Sequence, residues 1–165
     1  MIRIALTVHQ PYATLLAHGV KDIENRGRAL PSTRTGRRLW IHAGKTIRPV
    51  EADPFAWEQV AALGWGIEEI QADAGRILGW VIPGGSHPPD DCYATGHWVG
   101  GCTCAGISVG IGIQHEPGCG LEPWCSPWAD PDAHHWQMSD ATPLDDPPAC
   151  RGQQGLWRIP EEVQP

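Results

Sequence analysis

The stretch "GVKDIENR", residues 19 to 26, places a lysine, a carboxylate and an arginine at Lys21, Glu24 and Arg26. A lysine can act as base, nucleophile or point-charge clamp when burial or nearby cations lower its pKa, whereas arginine offers a fixed fork of donors to phosphate or carboxylate. Ten of the twelve basic residues are arginine, and only Lys21 and Lys45 are lysine, which suggests that lysine chemistry is wanted at those two positions. The competing reading of Glu24 and Arg26 is a partly exposed ion pair that pins a turn and contributes little energy.

Charge is unevenly distributed along the chain. Residues 21 to 48 hold eight cations (Lys21, Arg26, Arg28, Arg34, Arg37, Arg38, Lys45, Arg48) against Asp22 and Glu24, a balance of +6 in a chain whose net charge is −7. Such a split describes a solvated basic loop or a local anion site on a protein that repels polyanions elsewhere. It argues against a general duplex binder, which needs a broad cationic footprint.

The elements that must position these residues follow from periodicity. Ile2, Ile4, Leu6 and Val8 alternate with Arg3, Ala5 and Thr7 as in a half-buried strand. Gln10 and Pro11 open a short helix with Tyr12, Leu15 and Leu16 on one face, and Gly19 is placed to end it in a left-handed cap. "KDIENR" then reads as extended, which puts Asp22, Glu24 and Arg26 on the face opposite Ile23. "GRRLWIHAGK" is a second strand, with Trp40 and His42 on one face, and "GRILGWVIP" is a third. Asp53 and Pro54 begin a helix that runs through Trp57 and Val60 to Leu63 and ends at Gly64. Strands return in "WQMSDATPL" and "GQQGLWRIP". Strands and helices do not alternate regularly, so the expected class is α+β with a mixed or barrel-like sheet in one domain spanning 1–165. A Gly- and Cys-rich insertion or long loop occupies about 83–120.

With 41% hydrophobic and 19% charged residues the chain is not disordered, and no apolar run approaches the roughly 20 residues of a membrane helix. There is no charged start followed by an apolar export segment, so the reading is a soluble cytoplasmic protein with reduced thiols and no membrane partner.

"LTVHQPYATLLAHGVKDIENR" resembles the opening of the ASCH domain family of the PUA-like superfamily, where a strand, a Gln-Pro helix start and the pattern Gly-x-Lys-x-x-Glu-x-Arg recur. "IHAGK", "GRILGWV" and "WQMSDATPL...GQQGLW" resemble the family's later strands. The resemblance implies a small curved β-barrel flanked by helices, with the motif lining a cleft. It also implies RNA or modified-nucleoside recognition, transcriptional coactivator roles or, in some members, hydrolysis of an acetylated cytidine amide or of RNA. In amidohydrolase-like relatives a threonine stands two positions before the motif arginine. Here that position is Glu24, and "GRILGWVIP" supplies no second carboxylate, so the family's Lys-Thr-Glu mechanism does not carry over.

The expected function is therefore nucleic-acid or modified-nucleotide binding in a cationic cleft, with RNA, a single strand or a nucleoside-like molecule as partner. The ligand-binding candidates are Gln10, Lys21, Glu24, Arg26, His42, Lys45, Trp128 and Trp136. Arg26 and Lys45 would hold phosphate, Glu24 an exocyclic amine and Gln10 a base edge, while a tryptophan stacks. His42, a lone histidine on a strand, has packing as its competing role. Two alternatives stay open: a small hydrolase in which Lys21 or Glu24 activates water, and a protein-interaction domain. Whether the chain is an enzyme is left undecided. No cofactor and no metal are expected. A zinc staple from Cys102, Cys104, Cys119 and Cys125 is the weaker alternative to ordinary buried thiols, because the chain has no Cys-x-x-Cys pair.

Overall fold

The amino-terminal strand forms as β1 (Ile4–Gln10), but it is covered on both faces instead of half-buried: Leu6 and Val8 are buried in one apolar cluster and Ala5 in another, while Ile2 lies before the strand and is exposed. In this computed structural model the described residues are 2–94, 107–109, 112–114 and 125–164. Pro11 leads into α1 (Tyr12–Ala17), which ends at Gly19, where φ is +72°. That left-handed conformation costs glycine nothing and would strain any residue with a Cβ. Four residues later the chain extends into β2 (Ile23–Arg26). Next come β3 (Leu39–Ile47), α2 (Pro54–Ala62), α3 (Ile67–Asp73) and β4 (Ile77–His87). The short hairpin β5 (Ile107–Val109) and β6 (Gly112–Gln114) precedes β7 (His134–Pro143) and β8 (Leu156–Arg158).

Among the described residues six strands form one sheet in the order β2-β7-β4-β3-β1-β8. Every pairing is antiparallel except β1 with β3, where Leu6 faces Ile41 and Val8 faces Ala43. The fold is α+β, as expected. The described pairings form an open row ending at β2 and β8, and none closes the row into a barrel.

α1 sits between two apolar layers. Leu16 packs with Leu6, Leu39, Ile41, Val81 and Trp136 against the sheet, while Leu15 meets Ile23, Trp57, Val60 and Ile70 beneath α2 and α3. Both leucines are fully buried, each stabilising the fold by roughly 1.5–3 kcal/mol. α2 starts as its sequence predicts, with the Asp53 carboxylate accepting from the Ala56 amide at 3.0 Å and Pro54 in the first turn.

Strand β4 runs further than composition suggests. Residues 83–87 continue β4, and the ladder absorbs the proline and glycines through register shifts at Trp80/Ile82 and Pro83/Gly85. Bulges of this kind are where a strand tolerates proline. A 3-10 turn follows at Pro89–Ala94. Cys102, Cys104 and Cys119 lie outside the described residues. Among the described residues no helix is long and apolar enough to cross a membrane.

Candidate functional site

The turn after α1 and the start of β2 bring the motif's charges together in the interior. Lys21 is 4% exposed and Glu24 6% exposed, which rules out a solvated clasp. Glu24 accepts from both cations: Oε2 lies 3.3 Å from Lys21 Nζ, and Oε1 lies 2.9 Å from Arg26 Nη2. Lys21 Nζ also donates to the Ile23 carbonyl. Arg26 Nη2 reaches across to the Thr7 carbonyl of β1 at 2.9 Å, and Arg26 Nε is buried with no partner among the described residues.

Aromatic rings enclose the ammonium. Lys21 Nζ is 5.8 Å from the Tyr12 ring centroid and 5.9 Å from that of Trp128, within cation–π range of both. Burial pulls Lys21 below its ordinary 10.5, and the Glu24 carboxylate opposes that shift. The Tyr12 hydroxyl donates to Asp53 Oδ2 at 2.6 Å, and burial followed by that carboxylate pushes Tyr12 up to about 12. Asp53 thus caps α2 with one oxygen and fixes Tyr12 with the other.

Above this floor opens a cleft of about 1880 Å³. Tyr12, Phe55 and Trp128 form its apolar wall, with the Phe55 and Trp128 centroids 4.7 Å apart. Lys45 and Arg48 are exposed at its rim. His42 lines it too, with its ring held at both nitrogens by Thr7 Oγ1 at 3.2 Å and the Cys150 carbonyl at 3.0 Å. Burial pulls the His42 pKa down. Gly152 lies flat against that ring, where any Cβ would collide with it.

The cleft gathers Lys21, Glu24, Arg26, His42, Lys45 and Trp128 from among the candidates. Two others fall elsewhere. Gln10 is fully buried, with Oε1 accepting from the Thr14 amide at 3.2 Å and Nε2 donating to Thr14 Oγ1 at 2.9 Å, so it ties β1 to the first turn of α1 and does not line the cleft. Trp136 packs in the core between sheet and α1, its indole N–H donating to the Arg28 carbonyl at 2.8 Å. The basic segment divides as well: Lys21, Arg26, Lys45 and Arg48 line the cleft, while Arg38 stacks 4.0 Å from the Trp80 centroid away from it. Sequence reasoning missed Tyr12, Asp53 and Phe55 as cleft groups, because their patterns report only helix faces and a cap.

A family model for the ASCH domain matches residues 6–110. The chain belongs to the ASCH domain family. No curated protein matches this ASCH chain. Among solved structures it is similar to a serine-to-alanine mutant of ZmASCH from Zymomonas mobilis, at 12% identity and a TM-score of 0.49, covering 97% of this chain and 89% of that one.

The ASCH domain also assembles a second cluster, behind the cleft wall. His87, Cys92, Cys125 and His135 offer ligand atoms that all lie within 4.8 Å of one another. Burial, then the neighbouring Cys92 sulfur, push the Cys125 thiol up to about 12. Of the four cysteines of the weaker zinc alternative, Cys125 is the one that belongs to this cluster, and Cys102, Cys104 and Cys119 lie outside the described residues. The two histidines come together because β4 pairs with β7, aligning His87 with His135. The available signal was a His-x4-Cys near the start of the Gly- and Cys-rich segment and a Cys-x9-His after it.

Proposed function

We propose that this ASCH domain binds RNA, a single strand or a modified nucleotide in the cleft floored by Lys21, Glu24 and Arg26. The observation that carries the reading is a buried carboxylate held between two cations beneath an aromatic wall. Ion pairs cost desolvation and are a poor source of stability, so a buried Lys21–Glu24 pair with the half-buried Arg26 beside it, opening onto a cleft, is better explained by a ligand than by folding. Lys45 and Arg48 at the rim suit phosphate, Trp128 and Phe55 suit a base face, and Glu24 suits an exocyclic amine. ASCH domains are generally associated with RNA, which agrees with this chemistry.

Lys21 favours a second reading, hydrolysis of a modified-nucleoside amide. An amine whose pKa is lowered by burial can take a proton from water, the resulting hydroxide adds to the carbonyl, Arg26 stabilises the oxyanion, and the proton leaves with the amine. The test is fluorescence anisotropy with short single-stranded RNA, single-stranded DNA and duplex, run beside product detection on acylated nucleosides. Saturable binding to single strands or nucleosides without turnover supports the binding module, and turnover supports the hydrolase. No response to any of them overturns both.

A further inference from the structure

Four side chains far apart in sequence converge beneath Trp128: His87 ends β4, Cys92 sits in the 3-10 turn, Cys125 precedes the Trp128 loop, and His135 lies on β7. Their separations are those of a coordination shell. Cys92 Sγ lies 3.4 Å from His87 Nε2 and 3.0 Å from His135 Nδ1, and His135 Nδ1 lies 3.4 Å from both Cys125 Sγ and His87 Nε2. A tetrahedral ion with bonds of about 2.3 Å to sulfur and about 2.0–2.1 Å to nitrogen sets nitrogen–sulfur edges near 3.6 Å and the nitrogen–nitrogen edge near 3.3 Å.

A single hydrogen bond does not account for the crowding around His135 Nδ1. Three atoms approach His135 Nδ1 within 3.4 Å, yet a neutral ring nitrogen has one lone pair and satisfies one donor. The other ring nitrogen, Nε2, lies 2.8 Å from the Asp130 carbonyl, which can only accept. In the neutral ring the proton therefore sits on Nε2, and the Nδ1 lone pair faces the cluster, the arrangement that outer partners impose on metal-ligating histidines.

We propose that His87 Nε2, Cys92 Sγ, Cys125 Sγ and His135 Nδ1 bind one zinc(II) ion in a closed tetrahedral Cys2His2 site. Two thiolates and two imidazoles select zinc over calcium or magnesium, and four protein ligands with every residue at most 9% exposed make it a structural site without an open position. Binding exchanges two thiol protons for one dication.

The site's place in the fold states its purpose. Cys92 and Cys125 lie on either side of residues 95–124, so one ion ties the chain on both sides of that stretch to the β4–β7 ladder. From Cys125 the chain passes directly into the cleft wall. Ser126 Oγ donates to Asp22 Oδ1 at 2.5 Å, Trp128 Nε1 to the Val20 carbonyl at 3.1 Å, and Asn25 Nδ2 to the Trp128 carbonyl at 2.7 Å. The ion therefore holds the loop that carries Trp128 over Lys21.

The test uses the full chain, purified without chelator. Elemental analysis should find about one zinc per chain. Cobalt(II) exchanged into the wild-type protein should give the intense visible absorption of a tetrahedral site together with thiolate-to-cobalt charge transfer. Cys125→Ser and His135→Gln should each lower zinc affinity by more than the roughly 10–100-fold that outer partners command. Cys150→Ser and the combined Cys102→Ser, Cys104→Ser, Cys119→Ser variant should keep the metal. Wild-type protein that takes up neither zinc nor cobalt, or a cobalt spectrum of octahedral type, overturns the proposal. So does metal retained by Cys125→Ser but lost from the triple variant. The wild-type cobalt spectrum decides even where a ligand variant does not fold.

Discussion

Glu24→Gln removes one charge and almost no volume from the centre of the trio, which makes it the sharpest probe of why these groups are buried. Breaking a buried pair by deleting one partner costs about 3–5 kcal/mol, and this applies to Lys21, whose ammonium would be left with the Ile23 carbonyl. The Arg26 half is 27% exposed on its side chain and adds only about 0.2–1 kcal/mol. The new amide still accepts one bond from a cation, which returns about 1.5–3 kcal/mol. The net expectation is a loss of about 2–3 kcal/mol, read as a fall in Tm of about 5–10 °C for a domain of this size. Urea melts of Glu24→Gln, Arg26→Gln and the double variant form a cycle that isolates the coupling. A loss below about 1 kcal/mol would refute the reasoning, since it is what a solvated surface pair gives. The companion variant Lys21→Met, Glu24→Leu replaces both buried charges with apolar groups of similar size. It should recover most of the stability and bind no single-stranded RNA. Binding at wild-type strength would show that the charges serve no ligand.

Three further outcomes follow from the same geometry. Lys21 has a folded pKa below its unfolded value, so the unfolded chain binds more protons between the two values, and stability rises with pH from the lowered folded value toward 10.5. Melts of wild type and Lys21→Met over alkaline pH should differ by that rise, and parallel curves would count against it. Trp128→Leu should weaken single-strand binding by about 1–3 kcal/mol, roughly 5–150-fold, if a base stacks on the indole, as read by anisotropy. Trp136→Leu, in the core, should lower Tm and leave affinity unchanged. Finally, Arg26, Lys45 and Arg48 can neutralise few phosphates, so log K against log salt for a single strand should have a slope of about −0.7 to −2. A slope steeper than about −4, with equal affinity for duplex, would point to a longer footprint.

Much of this molecule was legible in neighbouring residues. Alternation at Ile4, Leu6 and Val8, the glycine stop at Gly19, the Asp53-Pro54 start of α2 and the extended run through Glu24 and Arg26 are all decided within a few positions. There, backbone sterics, caps and side-chain period act directly. The motif Gly19, Lys21, Glu24, Arg26 named the cleft floor for the same reason. Composition misled at residues 83–87, because a bulged ladder with β7 outweighs the local signals of Pro83, Gly84 and Gly85. Gln10 and Trp136 were assigned to the wrong surroundings, since a residue's type does not say which side of a sheet or helix will be covered. The pairing of β7 with both β2 and β4 brings His135 beside His87, carries Cys125 to Cys92, and lays Trp128 over Lys21 from more than a hundred residues away. Such contacts depend on which strands share a ladder, a choice set by the burial of whole faces, and only the folded chain makes it.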